Sequence, residues 1–386
     1  MIEIREVKTK KDIKLFATFP VKLYKNCSYY VPSLRSDELS TFDPKKNFSL
    51  KECDAKGFLC YKDGKLVGRI AGIINRTDNE LTGVKAIRFS RIECIDDEKV
   101  FKSLLGAVEK FGKDNGMELI HGPWGFNDTD REGMLTYGFD RPATYVTNYS
   151  YPYFCERVRE LGFEDESKWL EREFTIPDKP YDRMVDIAKK VNEKIELTDV
   201  ALTLPIKEIV KRYGAKLFET YNQAYAPLDG FVPVDELTEK NVLKQFATVL
   251  NKRYISVLVD KNDEVAAFGI VLPSLVKPLA KHGGKLFPTG FIGILSTIKK
   301  PKSLEMALIG VKPEYKNTGI NAVVITNIMH HVIEDGIKKV ESNPMLETNY
   351  NIQQQWKFAE SEVVKKRQTY KKAIGSLVEY AEGFKD

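Results

Sequence analysis

Residues 304–336, LEMALIGVKPEYKNTGINAVVITNIMHHVIEDG, read as strand, basic loop and helix. From Leu304 to Val311 the run is apolar on both faces apart from Glu305, the pattern of a strand covered on both sides. Pro313 ends it, because proline has no N–H for the next ladder rung. Glu314 to Gly319 is a short polar loop, and a helix follows in which Val324, Ile328 and Val332 fall four apart, with Gly336 as its stop. A helix start carries unpaired N–H groups and a partial positive charge. Gly319 lets backbone approach a bulky anion, and Lys316 adds a full charge, so the turn has the parts of a phosphate cradle. A plain strand-to-helix turn with a glycine in it is the competing reading.

Outward from this stretch, Lys338 to Asn343 reads as a strand, and Ile352 to about Ala373 as a long amphipathic helix carrying Tyr370. Upstream, Tyr254–Val259 and Val265–Leu272 form a hairpin. Between hairpin and strand, residues 273–301 are basic and Gly-rich, without the G-x-x-x-x-G-K-[S/T] order of a P-loop, and a solvated insertion is expected there rather than a phosphate contact. Helices are expected at 181–191, 206–225 and about 235–250, with a strand near 195–204 and a loop at 226–233. Pro177-Asp-Lys-Pro180 marks a boundary, giving units 1–176 and 177–386.

The first unit shows the same order. Phe58–Tyr61 and Leu66–Ile74 flank an Asp63-Gly64 turn, a strand runs from Ala86 to Cys94, Asp96 or Asp97 caps a helix stopped by Gly116, and a short strand spans 117–121. The hairpins starting at Phe58 and Tyr254 suggest two similarly folded halves. Here, however, Ile95-Asp96-Asp97-Glu98 enters the helix directly, and three carboxylates repel a phosphate. Arg35, Asp37 and Glu38 read either as lining a site or, preferentially, as a solvated face. Tyr145, Tyr149, Tyr151, Tyr153 and Phe154 read either as a pocket wall or, preferentially, as a loop packed on the sheet, followed by a helix at 153–161.

At 386 residues the chain suits two cores, and 42% hydrophobic with 30% charged residues fits a globular protein. A net charge of +5 suits anionic small ligands and falls short of a nucleic-acid footprint, so no nucleic acid is expected as a partner. No run of about 18 apolar residues exists, so no membrane partner is expected. Met1-Ile-Glu-Ile-Arg5 lacks a signal-peptide core, and five cysteines without CxxC spacing argue against a zinc site, so a cytoplasmic location is expected. His330 and His331, adjacent on a helix, point apart and form no metal pair; no metal is expected.

Val311-Lys-Pro-Glu-Tyr-Lys-Asn-Thr-Gly-Ile-Asn321 resembles the acyl-CoA loop of the GNAT (GCN5-related) N-acetyltransferases, in which Arg or Gln, two residues, Gly, one residue, and Gly or Ala follow a strand ending in Val-x-Pro. Lys316 and Asn321 depart from the pattern; Gly319 fits it. Tyr151-Pro-Tyr-Phe154 and Gly162-Phe163 resemble another element of the superfamily. The resemblance implies an α/β fold with a mixed sheet and two GNAT-like domains in tandem, resembling long bacterial tandem members. It implies acetyl-CoA or another acyl-CoA as cosubstrate, held by Leu308, Ile309, Gly310 and Val311 and by Lys316, Asn317, Thr318, Gly319, Ile320, Asn321 and Asn349. Tyr370 would then be the acid toward the thiolate and Glu347 or Glu305 the base toward a small-molecule or peptide amine, in a possible homodimer. Two other readings stay open: an aminoacyl-tRNA-dependent transferase of the peptidoglycan-bridge type, and a non-enzymatic ligand-binding module.

Overall fold

The computed structural model describes all residues except 128, 229–230, 234–237, 241, 244–246, 382–383 and 386. The N-terminal half contributes β1 (Ile2–Glu6), β2 (Cys53–Lys62), β3 (Lys65–Asn75), β4 (Ala86–Cys94), β5 (Leu119–Gly122), β6 (Met134–Tyr137) and β7 (Glu164–Thr175). The C-terminal half adds β8 (Leu197–Asp199), β9 (Ile255–Asp260), β10 (Val265–Pro273), β11 (Leu304–Val311), β12 (Lys339–Glu341), β13 (Met345–Leu346), β14 (Ser361–Ala373) and β15 (Phe384–Lys385). Together they form one mixed sheet in the order β15-β1-β2-β3-β4-β5-β14-β7-β12-β11-β10-β9-β8, with β6 beside β14 and β13 beside β7.

Each half repeats one pattern. β2, β3 and β4 are antiparallel and β4 runs parallel to β5; β9, β10 and β11 are antiparallel and β11 runs parallel to β12. A parallel step needs a crossover. The helices Glu98–Asp114 and Ile320–Glu334 supply it. The first buries Val100, Leu104, Leu105, Val108 and Phe111 on the N-terminal core. The second buries Ile320, Val323, Val324, Ile328 and Val332, a wider stripe than the predicted fourfold spacing, because the helix Asp182–Lys194 covers it from outside with Ala188 and Val191. On β9, Leu258 faces this cluster, whereas Val257 and Val259 face the helix Ile206–Tyr225 through Tyr213 and Tyr221. The C-terminal sheet is thus covered on both faces, as its apolar strands required.

The join between the halves differs from the sequence expectation. β14 leaves the C-terminal half and lies between β5 and β7 of the N-terminal half, while β7 pairs with β12. Residues 361–373 are therefore a strand, not the C-terminal part of a 352–373 helix; only Tyr350–Gln355 is helical. Lys365, Arg367 and Thr369, at alternate positions, are all buried, so charged side chains point inward and the apolar alternation that marks a strand is missing. The same charge-rich disguise hid β7, EDESKWLEREFT, which the sequence reading did not assign. The 195–204 strand shrinks to Leu197–Asp199 followed by a helical turn. Residues 273–301 are not a solvated insertion. They form the helices Val276–His282 and Gly290–Lys299, with Leu275, Leu279 and Ile294 buried in a core shared with Tyr24 and Tyr149. The helix expected at about 235–250 falls in part outside the described residues, as does the 226–233 loop.

Candidate active site

β11 and β12 share only two rungs, Leu304 with Val340 and Glu305 with Glu341. Beyond them the strands part. The chain after β12 turns to β7, where the Ser342 N–H donates to Arg172 O at 2.7 Å, and Asn343 Nδ2 reaches back to Ala307 O at 2.8 Å. On its other side β11 is bulged: Ile270 faces Leu308 and Val271 faces Met306, leaving Ala307 as the extra residue. Leu308, Ile309, Gly310 and Val311 continue β11 along this opening.

The last shared rung carries two carboxylates. Partners on one rung of a parallel ladder project from the same face. Glu305 accepts from the Tyr145 N–H at 2.8 Å, and its other oxygen, Oε1, is buried without a partner among the described residues. Burial raises its pKa above the ordinary 4.5 against the pull of Ser274 and Tyr145. Glu341 contacts Lys365. Burial pushes its carboxyl up to about 7, the attraction of Lys365 being partly cancelled by the charges of Glu171 and Glu305. Lys365 also meets Glu171 at 3.1 Å and donates to Pro142 O at 2.9 Å, while Arg367 Nε donates to Glu171 at 2.5 Å. Burial works against ionisation of Glu171, but these two cations outweigh it and hold its pKa low. Glu341, Lys365 and Glu171 were missed in the sequence. The available signal was a charge at a strand position whose neighbours are covered.

The loop after β11 has the predicted geometry. Pro313–Tyr315 makes one tight turn, and Lys316, Asn317 and Thr318 are exposed. Asn317 and Gly319 both have positive φ, +65° and +89°. Gly319 caps the helix Ile320–Glu334, whose first residue is buried. Thr318 Oγ1 accepts from the Ile320 N–H at 3.3 Å and donates to Tyr315 O at 2.7 Å. A Cβ at Gly319 would stand 2.8 Å from Ile187 Cγ2. The glycine is thus demanded by its backbone and by the Asp182–Lys194 helix, whatever it binds. Asn321 Nδ2, at the start of the Ile320–Glu334 helix, donates at 2.9 Å to Oε1 of Gln355, the last residue of the Tyr350–Gln355 helix, and Asn349 caps that second helix by accepting from the Ile352 N–H at 3.3 Å.

Other expected residues lie elsewhere. Tyr370 sits on β14 opposite Gly122, buried in the N-terminal core, its hydroxyl without a partner among the described residues and its pKa raised by burial. Its assignment rested on a helix that is a strand in another part of the sheet. Glu347 pairs with Lys366 at 3.9 Å and its N–H donates to Lys168 O, so it shares no partner with the Glu305 group.

A cavity of about 520 Å³ opens in the N-terminal half, and seven cationic side chains and two carboxylates line it. Its floor is an ion cluster: Arg69 on β3 meets Glu93 on β4 and Glu38, each at 2.6 Å. Burial opposes ionisation of Glu38, but Arg69 and Arg91 hold it at about 2. Burial wins at Glu93, whose pKa is raised despite Arg69. Of the residues read as a solvated face, Asp37 is exposed, whereas Arg35 and Glu38 line the cavity. Tyr149 does both things expected of its loop, lining the cavity and packing edge-on against Tyr24 at 5.7 Å. The wall leads to Glu305, since Arg131 donates to Tyr145 O at 2.6 Å and the Tyr145 N–H donates to Glu305.

No family model matches the chain. It is 25% identical over 384 residues to Protein YghO of Escherichia coli K12, covering 96% of this chain and 95% of that protein. It is 24% identical over 325 residues to a bacterial ceramide synthase of Caulobacter vibrioides, covering 82% of each. Among solved structures, a tandem GNAT protein from the clavulanic acid biosynthesis pathway superposes with a TM-score of 0.58 at 10% identity, covering 97% of this chain and 99% of that one. This likeness shows the fold: the chain has the fold of the GCN5-related N-acetyltransferase (GNAT) superfamily.

Proposed function

We propose that the protein is an acyl-CoA-dependent N-acyltransferase whose donor site lies in the C-terminal half. The observation that carries this reading is the parting of β11 and β12 directly beyond a rung of two carboxylates, Glu305 buried and Glu341 partly buried, next to a basic, glycine-capped helix start. In this reading the loop from Lys316 to Asn321 holds the pyrophosphate through backbone N–H groups and the Lys316 charge. The acyl arm enters along Leu308 to Val311, and backbone N–H groups near the Ala307 bulge polarise the thioester carbonyl. The Glu305–Glu341 pair accepts the proton that the amine loses as it attacks; an upward-shifted carboxylate near neutrality suits that task. The C–S bond breaks as the amide C–N bond forms, and CoA leaves as the thiolate, which then takes up the proton that the carboxylate pair received from the amine.

The relative named as a ceramide synthase is named for a product that is an amide of a long-chain amine, so long-chain amines belong in the acceptor panel beside small polar amines and peptides. Incubation of the full chain with acetyl-CoA or a long-chain acyl-CoA and this panel, read by mass spectrometry of the products, tests the reaction. Amide formation that disappears in Glu305→Gln supports it. CoA binding without any amide product favours instead the ligand-binding reading.

A further inference from the structure

The segment from Val265 to Leu304 contains no Asp or Glu and six lysines, Lys277, Lys281, Lys285, Lys299, Lys300 and Lys302. All six are exposed. The helix Gly290–Lys299, GFIGILSTIK, is apolar nearly all round. One face seats Ile294 in the core; the opposite face leaves Phe291, Ile292 and Leu295 at 38%, 56% and 57% exposure, and Phe287 just before it is 76% exposed. Phe287 and Phe291 pack ring to ring at 5.7 Å, so the apolar surface is contiguous. Scattered exposed apolar residues need no explanation, but a contiguous patch of large ones on a single helix face does. A helix with apolar residues outward and lysines around it has the composition of an element lying at a lipid–water interface.

We infer that the face formed by residues 285–302 docks the protein on the surface of an anionic phospholipid bilayer. Charge complementarity selects this occupant: the lysines flank the apolar stretch on both sides in the sequence and the segment holds no acidic side chain, which suits anionic headgroups. No helix of the described residues is long and apolar enough to cross a membrane, so the attachment is to one leaflet's surface. Position gives it a use. Gly283 and Lys285 also line the 520 Å³ cavity, together with Lys11, Lys14 and Lys22 of the Lys10–Leu23 helix, so docking sets the cavity mouth beside the headgroups. The inference concerns attachment and stands whether or not the acyl-transfer reading holds.

The test is co-sedimentation of the full chain with phosphatidylcholine vesicles, with and without phosphatidylglycerol. Binding is expected only to the anionic vesicles. It should weaken on the order of a hundred-fold in Lys299→Glu/Lys300→Glu/Lys302→Glu, and disappear in Ile292→Asp/Leu295→Asp; these side chains are exposed, so circular dichroism should show both variants folded. Absence of binding, equal binding to neutral vesicles, or unchanged binding by the Ile292→Asp/Leu295→Asp variant overturns the inference. Should that variant instead turn an oligomer into a monomer by light scattering while vesicle binding persists, the face belongs to a second copy of the chain.

Discussion

The two halves build the same strand–turn–helix junction and fill it differently. In the N-terminal half, β4 leads through Ile95 to Asp97, which caps the Glu98–Asp114 helix by accepting from the Val100 N–H at 3.1 Å and also pairs with Lys62. The donors at that helix start face carboxylates of the protein itself. The gap beyond β4 and β5 is closed as well: the Trp124 N–H donates to Phe89 O at 3.0 Å, and Arg88 reaches Gly125 O at 3.0 Å. In the C-terminal half the helix start carries Gly319 and Lys316 with no carboxylate in its first turn, and the Asn343 side chain reaches across the gap to Ala307 O. One architecture, once plugged by its own side chains and once left open, teaches that the fold supplies a potential anion site and the residues at the helix start decide whether it is usable.

The largest effects should come from the carboxylate rung. Glu305→Gln and Glu341→Gln should each lower the acyl-transfer rate by roughly 10²–10⁴-fold with the melting temperature little changed. Glu347→Gln should change it little; if Glu347→Gln is as damaging as Glu305→Gln, the assignment of the base falls. The pH profile sharpens this. With Glu341 titrating at about 7, activity should climb between the ordinary carboxylate range and about 7, and a flat profile across that window contradicts it. The stability signs are opposite for Glu341 and Glu38, one carboxylate from each ion cluster. Glu341 binds a proton more tightly folded than unfolded, so its contribution weakens the fold as pH rises from about 4.5 to about 7. Glu38 does the reverse: it stabilises the fold above its ordinary value, and that contribution is lost as pH falls toward about 2.

Gly319→Ala should destabilise the protein by about 1–3 kcal/mol, because φ is +89° and the new Cβ meets Ile187. Ile187→Ala in the same chain should recover only the steric share, which a double-mutant cycle by urea unfolding will show. At the plugged junction, Asp97→Ala should cost about 1 kcal/mol for the lost cap and leave CoA binding unaltered. A gain of CoA binding in that variant would show that its carboxylate was all that separated the two junctions.

Much of the fold was legible where apolar pattern and turn chemistry agree: β11 and the Ile206–Tyr225 helix lie at their predicted bounds, and the Asp63-Gly64 turn has both residues at positive φ. The join between halves was not legible. β7 and β14 bury Glu171, Lys365 and Arg367 against one another, and pairing across 196 residues, as between Glu171 and Arg367, leaves no local trace. The loop residues 316–321 were readable because a glycine-capped helix start is local. Glu341 and the Arg69–Glu38–Glu93 floor were not, because a charge inside a strand shows its purpose only when its partner from another strand is in place.

The most direct measurement is calorimetric titration of the full chain and of Lys316→Glu with CoA, acetyl-CoA and a long-chain acyl-CoA. Lys316 is exposed, so the substitution spares the fold. The account predicts binding in the micromolar range, reduced about ten-fold or more by Lys316→Glu. No binding of any of the three, or equal affinity in the variant, would contradict a donor site at the 316–321 loop.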